Sequence, residues 1–283
     1  MTSSITYTAE LDMPREVVLF LAGLLRAERV RRRTRAGTRA LGEFKQAVLI
    51  IRWLVDGARI ARPAADNAIS HATCDRYVEE GVTVLKAQAP TLQEALTAAK
   101  AAGYTRLHLD GTLIETDRCR ALGPNGADLW WSGKHKQHGG NIQVLSSPGG
   151  DPLWTSEVRP GREHDLTCAR LHGLLDPLAK AAEDGLITLA DLGYVDAGMG
   201  FRLPYKRSRG GTLTDDQIQY NKVHGALRAL AERANAQLKM RFKALRNVSK
   251  CPWKIGGIVA AALVLFHREQ AHKQLSPSVN AGC

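Results

Sequence analysis

Two short runs decide the fold: Leu107-His108-Leu109-Asp110-Gly111-Thr112 and, further along, Ile187-Thr188-Leu189-Ala190-Asp191-Leu192-Gly193-Tyr194. Each is a brief apolar run that closes on an aspartate and has a glycine just after it. That is the pattern of a buried strand whose carboxylate sits where the chain leaves the apolar layer. In open α/β sheets ligands bind at such strand ends. Two carboxylates brought together there repel each other unless a cation lies between them, so the pair points to hard divalent metals, magnesium first.

The flanking sequence supplies the rest of a sheet. Residues 105–110 and 113–117 read as a hairpin turning at Gly111, and 141–146 and 153–158 as further strands separated by Pro148-Gly149-Gly150. Residues 165–182 read as a helix, 186–190 as a strand, 201–204 as one more, and 215–245 and 253–272 as closing helices. Strands first, then helix, strand and helix, is the order of a ribonuclease H-like α/β domain.

A third carboxylate, Glu232, lies inside the long basic helix. Arg228, Glu232, Asn235 and Lys239 fall at i, i+4, i+7 and i+11 and so share one stripe. Arg233, Lys239, Arg241, Lys243, Arg246, Lys250 and Lys254 then follow with no acid until Glu269. Singly, a strand-end Asp is a turn former, and Arg228 with Glu232 an exposed pair worth about 0.3–0.5 kcal/mol. At matching points of one fold order, Asp110, Asp191 and Glu232 are candidates for a two-metal site that cuts and joins phosphodiesters.

Other donors lie between these points. The segment 132–140 concentrates donors between glycines, and Lys134, Lys136 and His138 are candidates for holding phosphate. His135 with His138 lacks the further nearby ligands a metal needs. Trp130 and Trp131 suit stacking on a splayed base or packing in the core. Asp165 suits the cap of the helix it opens or a place beside the metals.

Upstream, 14–28 reads as an amphipathic helix with Pro at its start, followed by Arg31, Arg32, Arg33, Arg35 and Arg39, a cluster suited to phosphate contacts. An apolar helix over 42–55 comes next. A short helix from near Pro63 and a second capped by Ser70 then make a helix-turn-helix pattern. Its recognition helix would offer His71, Thr73, Asp75 and Arg76 to a major groove, beside the cap Ser70. A helix over 91–102 closes at Gly103. The chain of 283 residues thus divides into an all-α helix-turn-helix domain over 1–103 and an α/β catalytic domain over 104–283.

A formal charge of +11 and a pI near 9.6 favour an anionic partner. Cys74, Cys119, Cys168, Cys251 and Cys283 form no C-x-x-C pair, which disfavours a structural zinc or a disulfide scaffold. The most apolar stretch, 255–266, is too short to span a bilayer and reads as a buried helix of the second domain. With no signal pattern at the N-terminus, a cytoplasmic, nucleoid-associated protein without membrane contact is expected.

Several stretches carry a family resemblance: Leu109-Asp110-Gly111-Thr112, Trp131-Ser132-Gly133-Lys134-His135-Lys136, Pro160-Gly161-Arg162-Glu163-His164-Asp165-Leu166-Thr167, Ala190-Asp191-Leu192-Gly193-Tyr194 and Glu232-Arg233-Ala234-Asn235-Ala236-Gln237-Leu238-Lys239. Through them the chain resembles the bacterial insertion-sequence transposases of the DDE superfamily, in the group numbered five. The resemblance implies that Asp110, Asp191 and Glu232 are the metal-binding catalytic triad, holding two Mg²⁺ ions with Mn²⁺ as a substitute. It also implies binding of double-stranded DNA, as transposon ends and target, with strand cleavage and strand transfer by a homodimer in a synaptic complex. The family pattern near the glutamate is Tyr, two residues, Arg, three residues, Glu, six residues, Lys. Arg228, Glu232 and Lys239 match it and stand as DNA contacts, but Gly225 occupies the Tyr position and His224 is the nearest ring. Two rival readings are a DNA-binding protein with a silent nuclease and an endonuclease without strand transfer.

Overall fold

The computed structural model describes residues 10–117 and 119–275, so Cys283 lies outside the described residues. Helices α1 (Arg15–Arg31), α2 (Glu43–Asp56), α3 (Ala61–Asp66), α4 (His71–Lys86) and α5 (Leu92–Ala101) precede the sheet. Strand β1 (Arg106–Glu115) starts the α/β part. It is followed by β2 (Trp131–Ser132), β3 (Gln137–Ser146), β4 (Pro152–Thr155) and β5 (Arg159–Pro160). After α6 (Asp165–Leu171) and α7 (Leu175–Glu183) come β6 (Ile187–Leu189), β7 (Phe201–Arg202), α8 (Asp215–Arg241) and α9 (Ile255–Leu275). The sheet runs β2-β3-β1-β6-β7, with β4 and β5 also paired to β3. β1 is antiparallel to β3 and parallel to β6, a mixed sheet that fits the expected ribonuclease H-like domain.

The expected hairpin at Gly111 does not exist. β1 passes straight through it, with Asp110 opposite Val144, Gly111 opposite Gln143 and Thr112 opposite Ile142. Unbroken pairing with β3 keeps Gly111 extended, and the glycine is required for space: a Cβ there would overlap Asp165 Oδ1. Asp110 therefore sits in mid-strand rather than at a strand end. The expected helix over 165–182 is likewise two helices, parted at Gly173, whose positive φ of 64° ends the first. The helix expected over 215–245 stops at Arg241, because Phe242 turns to extended backbone before a 3-10 turn over Lys243–Leu245.

Alternation along β1 sorts its side chains onto two faces. Leu107 and Leu109 pack with Leu174 and Leu178 in one core, which also takes Leu96 and Ala99 of α5. Ile114 belongs to the other, larger core, together with Ile142 and Val144 of β3, the apolar run of α9 and the buried residues of α1, α2 and α4. α9, buried from Ile255 to Phe266, thus joins the N-terminal helices to the sheet. Among the described residues no helix is long and apolar enough to cross a membrane.

The N-terminal elements follow their local signals. Ser70 caps α4, its Oγ accepting from the Thr73 N–H at 3.1 Å. Thr91 and Glu94 form a reciprocal capping box at α5. Ser70→Ala is expected to cost about 1 kcal/mol, read as a lower midpoint in denaturant unfolding; an unchanged midpoint would refute the cap's contribution.

Candidate active site

The parallel register of β1 and β6 brings two carboxylates together. His108 pairs with Leu189, and carrying the register two residues on sets Asp191 beside Asp110, where the strands part. Burial first, and Asp191 next, push the Asp110 carboxyl up to about 7; Asp165 and Glu232 add to this, while Arg228 opposes it. Asn235 donates from Nδ2 to Asp110 Oδ2 at 2.8 Å, and its own Oδ1 is buried without a partner. Asp191 Oδ1 accepts from the Gly193 N–H at 2.8 Å, which fixes the carboxylate at the strand exit.

Glu232 stands differently. The stripe on α8 does face β1: Lys239 Nζ donates to Leu113 O at 2.9 Å, four residues beyond Asn235. Burial lowers the Lys239 pKa, with Glu115 and Asp110 opposing the shift. Glu232 itself accepts from Arg228 at 3.0 Å, and its side chain is 61% exposed. Among the described residues, no three His, Cys, Asp or Glu side chains are gathered closely enough to enclose one ion. Asp110 and Asp191 are brought together, and Glu232 is held apart by its guanidinium partner.

Gly225 is exposed, with open space where a side chain would project. His224 does not replace the family's tyrosine, because its ring is buried and its Nε2 is hydrogen-bonded to Arg202 O at 3.0 Å.

Three neighbours escaped the sequence reading. Tyr194, fully buried, donates to Gln143 Oε1 at 2.5 Å; Gln143 donates to Asn141 at 2.9 Å, and Asn141 to Asp165 Oδ1 at 2.8 Å. Of this chain the sequence singles out Asp165, as a helix cap or a residue beside the metals. It opens α6 without capping it, and its carboxylate turns to the site. The missed signal was Asn141 and Gln143 alternating on one face of an apolar strand, which places two amides beside the strand that carries Asp110.

The proposed DNA contacts fall on several surfaces. Arg31 and Arg32 both pair with Glu28, at 2.7 and 2.5 Å, and Arg39 forms a two-point pair with buried Glu80 at 2.9 Å. Arg33 and Arg35 are exposed and line a cavity with Arg26, Arg29 and Arg39. On α4, His71 and Arg76 are exposed and Thr73 half-buried, while Asp75 is engaged by Lys250. Lys134 and Lys136 are exposed beside the active site, but the His138 ring is taken up by Asp128 at 3.1 Å. Trp131 is exposed with its edge toward His138, and Trp130 is buried against Trp253. Burial pushes the Cys168 thiol up to about 12, which removes it as a nucleophile.

Two clefts flank β1 and share Gly111, Leu113 and His135. One of about 400 Å³ reaches Lys134, Asp165 and Gly193, and one of about 340 Å³ reaches Asp110, Glu232 and Lys239. The donor set suits a hard divalent cation. It is made of oxygens, it concentrates negative charge in a desolvated place, and the orphaned Asn235 Oδ1 offers a further acceptor. No curated protein and no solved structure matches the chain significantly. The family of DDE superfamily endonucleases matches residues 109–267, more than half the chain, from the residue before Asp110 into α9. With its central strand, its paired aspartates and its long basic helix inside that span, the chain belongs to the DDE superfamily endonucleases.

Proposed function

We propose that the protein is a DNA transposase that cleaves DNA strands at the terminal repeats of an insertion sequence and joins the freed 3'-hydroxyl ends to a target. The observation that carries this reading is the pairing of Asp110 with Asp191 at the fork of β1 and β6 in a chain of the DDE endonuclease family. Asp110, Asp191 and Glu232 are the residues that would hold two Mg²⁺ ions, with Mn²⁺ as a substitute. When bound, such ions lower the pKa of an attacking water or 3'-hydroxyl and stabilise the leaving 3'-oxygen.

The chain's own residues do the rest. Glu232 joins the two aspartates by leaving Arg228, whose guanidinium then turns to a DNA phosphate. Lys239, held in the cleft by Leu113 O, keeps its cation beside the scissile phosphate. Lys134 and Lys136 extend this track on the exposed side. At the N-terminal end, α3 and α4 act as the helix-turn-helix. Arg33, Arg35 and the first turn of α4, with Ser70, His71, Thr73 and Arg76, meet the repeat, and two copies bridge the two ends.

A supercoiled plasmid carrying the DNA that flanks the gene on both sides tests this. With Mg²⁺ or Mn²⁺ the full-length protein is expected to nick at the repeats and to join the 3' ends to a second plasmid, and chelation stops both. Cleavage without joining would leave an endonuclease. No cleavage of the flanking repeats, or cleavage indifferent to chelation, overturns the reading.

A further inference from the structure

The strands β1 and β6 part beyond His108 and Leu189, and what fills the fork comes from the opposite face of the sheet. Asp165 sits there because two positions lack a side chain. A Cβ on Gly111 would overlap Asp165 Oδ1, and one on Gly193 would stand 3.4 Å from Asp165 Oδ2 and 2.8 Å from Asp191 Oδ1. Neither glycine has a positive φ among those recorded, so backbone freedom does not explain either; room for a carboxylate does. The two glycines open a window through which Asp165 reaches the neighbourhood of Asp191 and Asp110.

The carboxylate is also oriented. The chain of donors Tyr194, Gln143, Asn141 runs in one direction and ends on Asp165 Oδ1. Oδ2 is left toward the cleft, where the exposed Lys134 ammonium stands 3.9 Å away. A second, independent sign of a ligand lies across the strand: Asn235 is only 9% exposed, and its Oδ1, beside Asp110, has no partner.

We propose that Asp165 is a further oxygen donor of the divalent-cation site, held ready by the Tyr194-Gln143-Asn141 relay and drawn in by the ion between Asp110 and Asp191, directly or through one water, from a metal-free spacing too wide for the three carboxylates to enclose an ion by themselves. This rests on the reading of Asp110 and Asp191 as metal ligands. Before an ion arrives, Lys134 neutralises Oδ2, and its exposed stem lets it withdraw.

Calorimetric titration of Mn²⁺ into the chelator-stripped full-length protein tests it without DNA or activity. Asp165→Asn keeps an acceptor for Asn141 and removes the charge. It is expected to bind Mn²⁺ at least about tenfold more weakly, with a metal-free melting temperature no lower than the parent's. Asp110→Asn is the control. If Asp110→Asn weakens binding and Asp165→Asn binds like the parent, the Asp165 proposal fails alone; if neither weakens binding, the metal site itself fails and takes the proposal with it. Should Asp165→Asn not fold, Mn²⁺ anomalous density in crystals of the parent decides. A peak within direct or one-water reach of Asp165 Oδ2, about 2 to 4 Å, supports the role, and a more distant peak overturns it.

Discussion

Asp110→Asn is expected to reduce metal-dependent DNA cleavage by at least ~10³-fold while leaving DNA binding in chelator intact or tighter. The charges of Asp191, Asp165 and, more weakly, Glu232 all act on Asp110, a concentration of negative charge that a bound cation would balance as phosphate enters. The amide keeps the shape and the hydrogen bond from Asn235 but gives up the anionic oxygen. On the proposed reading DNA binding would rest on cations elsewhere, and one negative charge fewer in the cleft would lessen repulsion of the phosphates. Nicking of a repeat-bearing plasmid in Mn²⁺, set beside a gel shift in chelator, separates the two effects. Cleavage within about tenfold of the parent would remove Asp110 from the site.

Glu232→Gln is expected to silence cleavage equally, yet with a different signature. In the free protein Glu232 is an exposed partner of Arg228, and such pairs contribute about 0.5 kcal/mol or less, so the metal-free stability should hardly move.

How far the sequence carried this site follows from the kind of signal each residue left. Asp191 was readable because its strand is short, apolar and followed by a tight exit, and Ser70 because a cap is a local feature. For Asp110 the sequence suggests a strand end, whereas the structure puts it in mid-strand. Gly111 looks like a turn residue, and nothing within β1 reveals that β3 pairs through it or that the missing side chain makes room for Asp165. For Asp165 the sequence leaves two roles open, a helix cap or a place beside the metals, because the contacts that decide between them lie with Asn141, Gly111 and Gly193, which are distant in sequence. The stripe on α8 was legible because helical periodicity fixes a face. Which members of it reach the sheet was not, since Asn235 and Lys239 dock on β1 while Glu232 pairs with Arg228 in solvent. The division at residue 103 separates elements in chain order, whereas burial ignores that order and packs α9 against α4 as well as β4.

Metal-free Asp110→Asn should also be more stable than the parent at pH 8, by roughly 2–3 kcal/mol. The folded-state carboxyl titrates near 7, against an ordinary value of 3.8. Below pH 3.8 it is protonated in both states and costs nothing. As pH rises through 3.8 to 7 the unfolded chain ionises first, and stability is lost over that window. The full shift corresponds to about 4 kcal/mol, which the partly open cleft reduces. Asparagine escapes this loss, and its amide can donate to the orphaned Asn235 Oδ1. His108, fully buried two residues earlier on the same face, titrates in the opposite sense. Burial first, then Arg106, lowers its pKa to about 4 from 6.5, so the unfolded state binds the extra proton between those values and stability rises with pH there. In the parent the two slopes oppose each other and leave a nearly flat profile from pH 4 to 6.5. With Asp110 replaced, the rise due to His108 should emerge, and the two proteins should converge near pH 4. Mn²⁺ at pH 8 should raise the melting temperature of the parent and leave that of Asp110→Asn nearly unmoved, because the ion removes the same repulsion that the amide does. A variant less stable than the parent at pH 8 without metal would show that the Asp110 carboxylate is not strained by its neighbours.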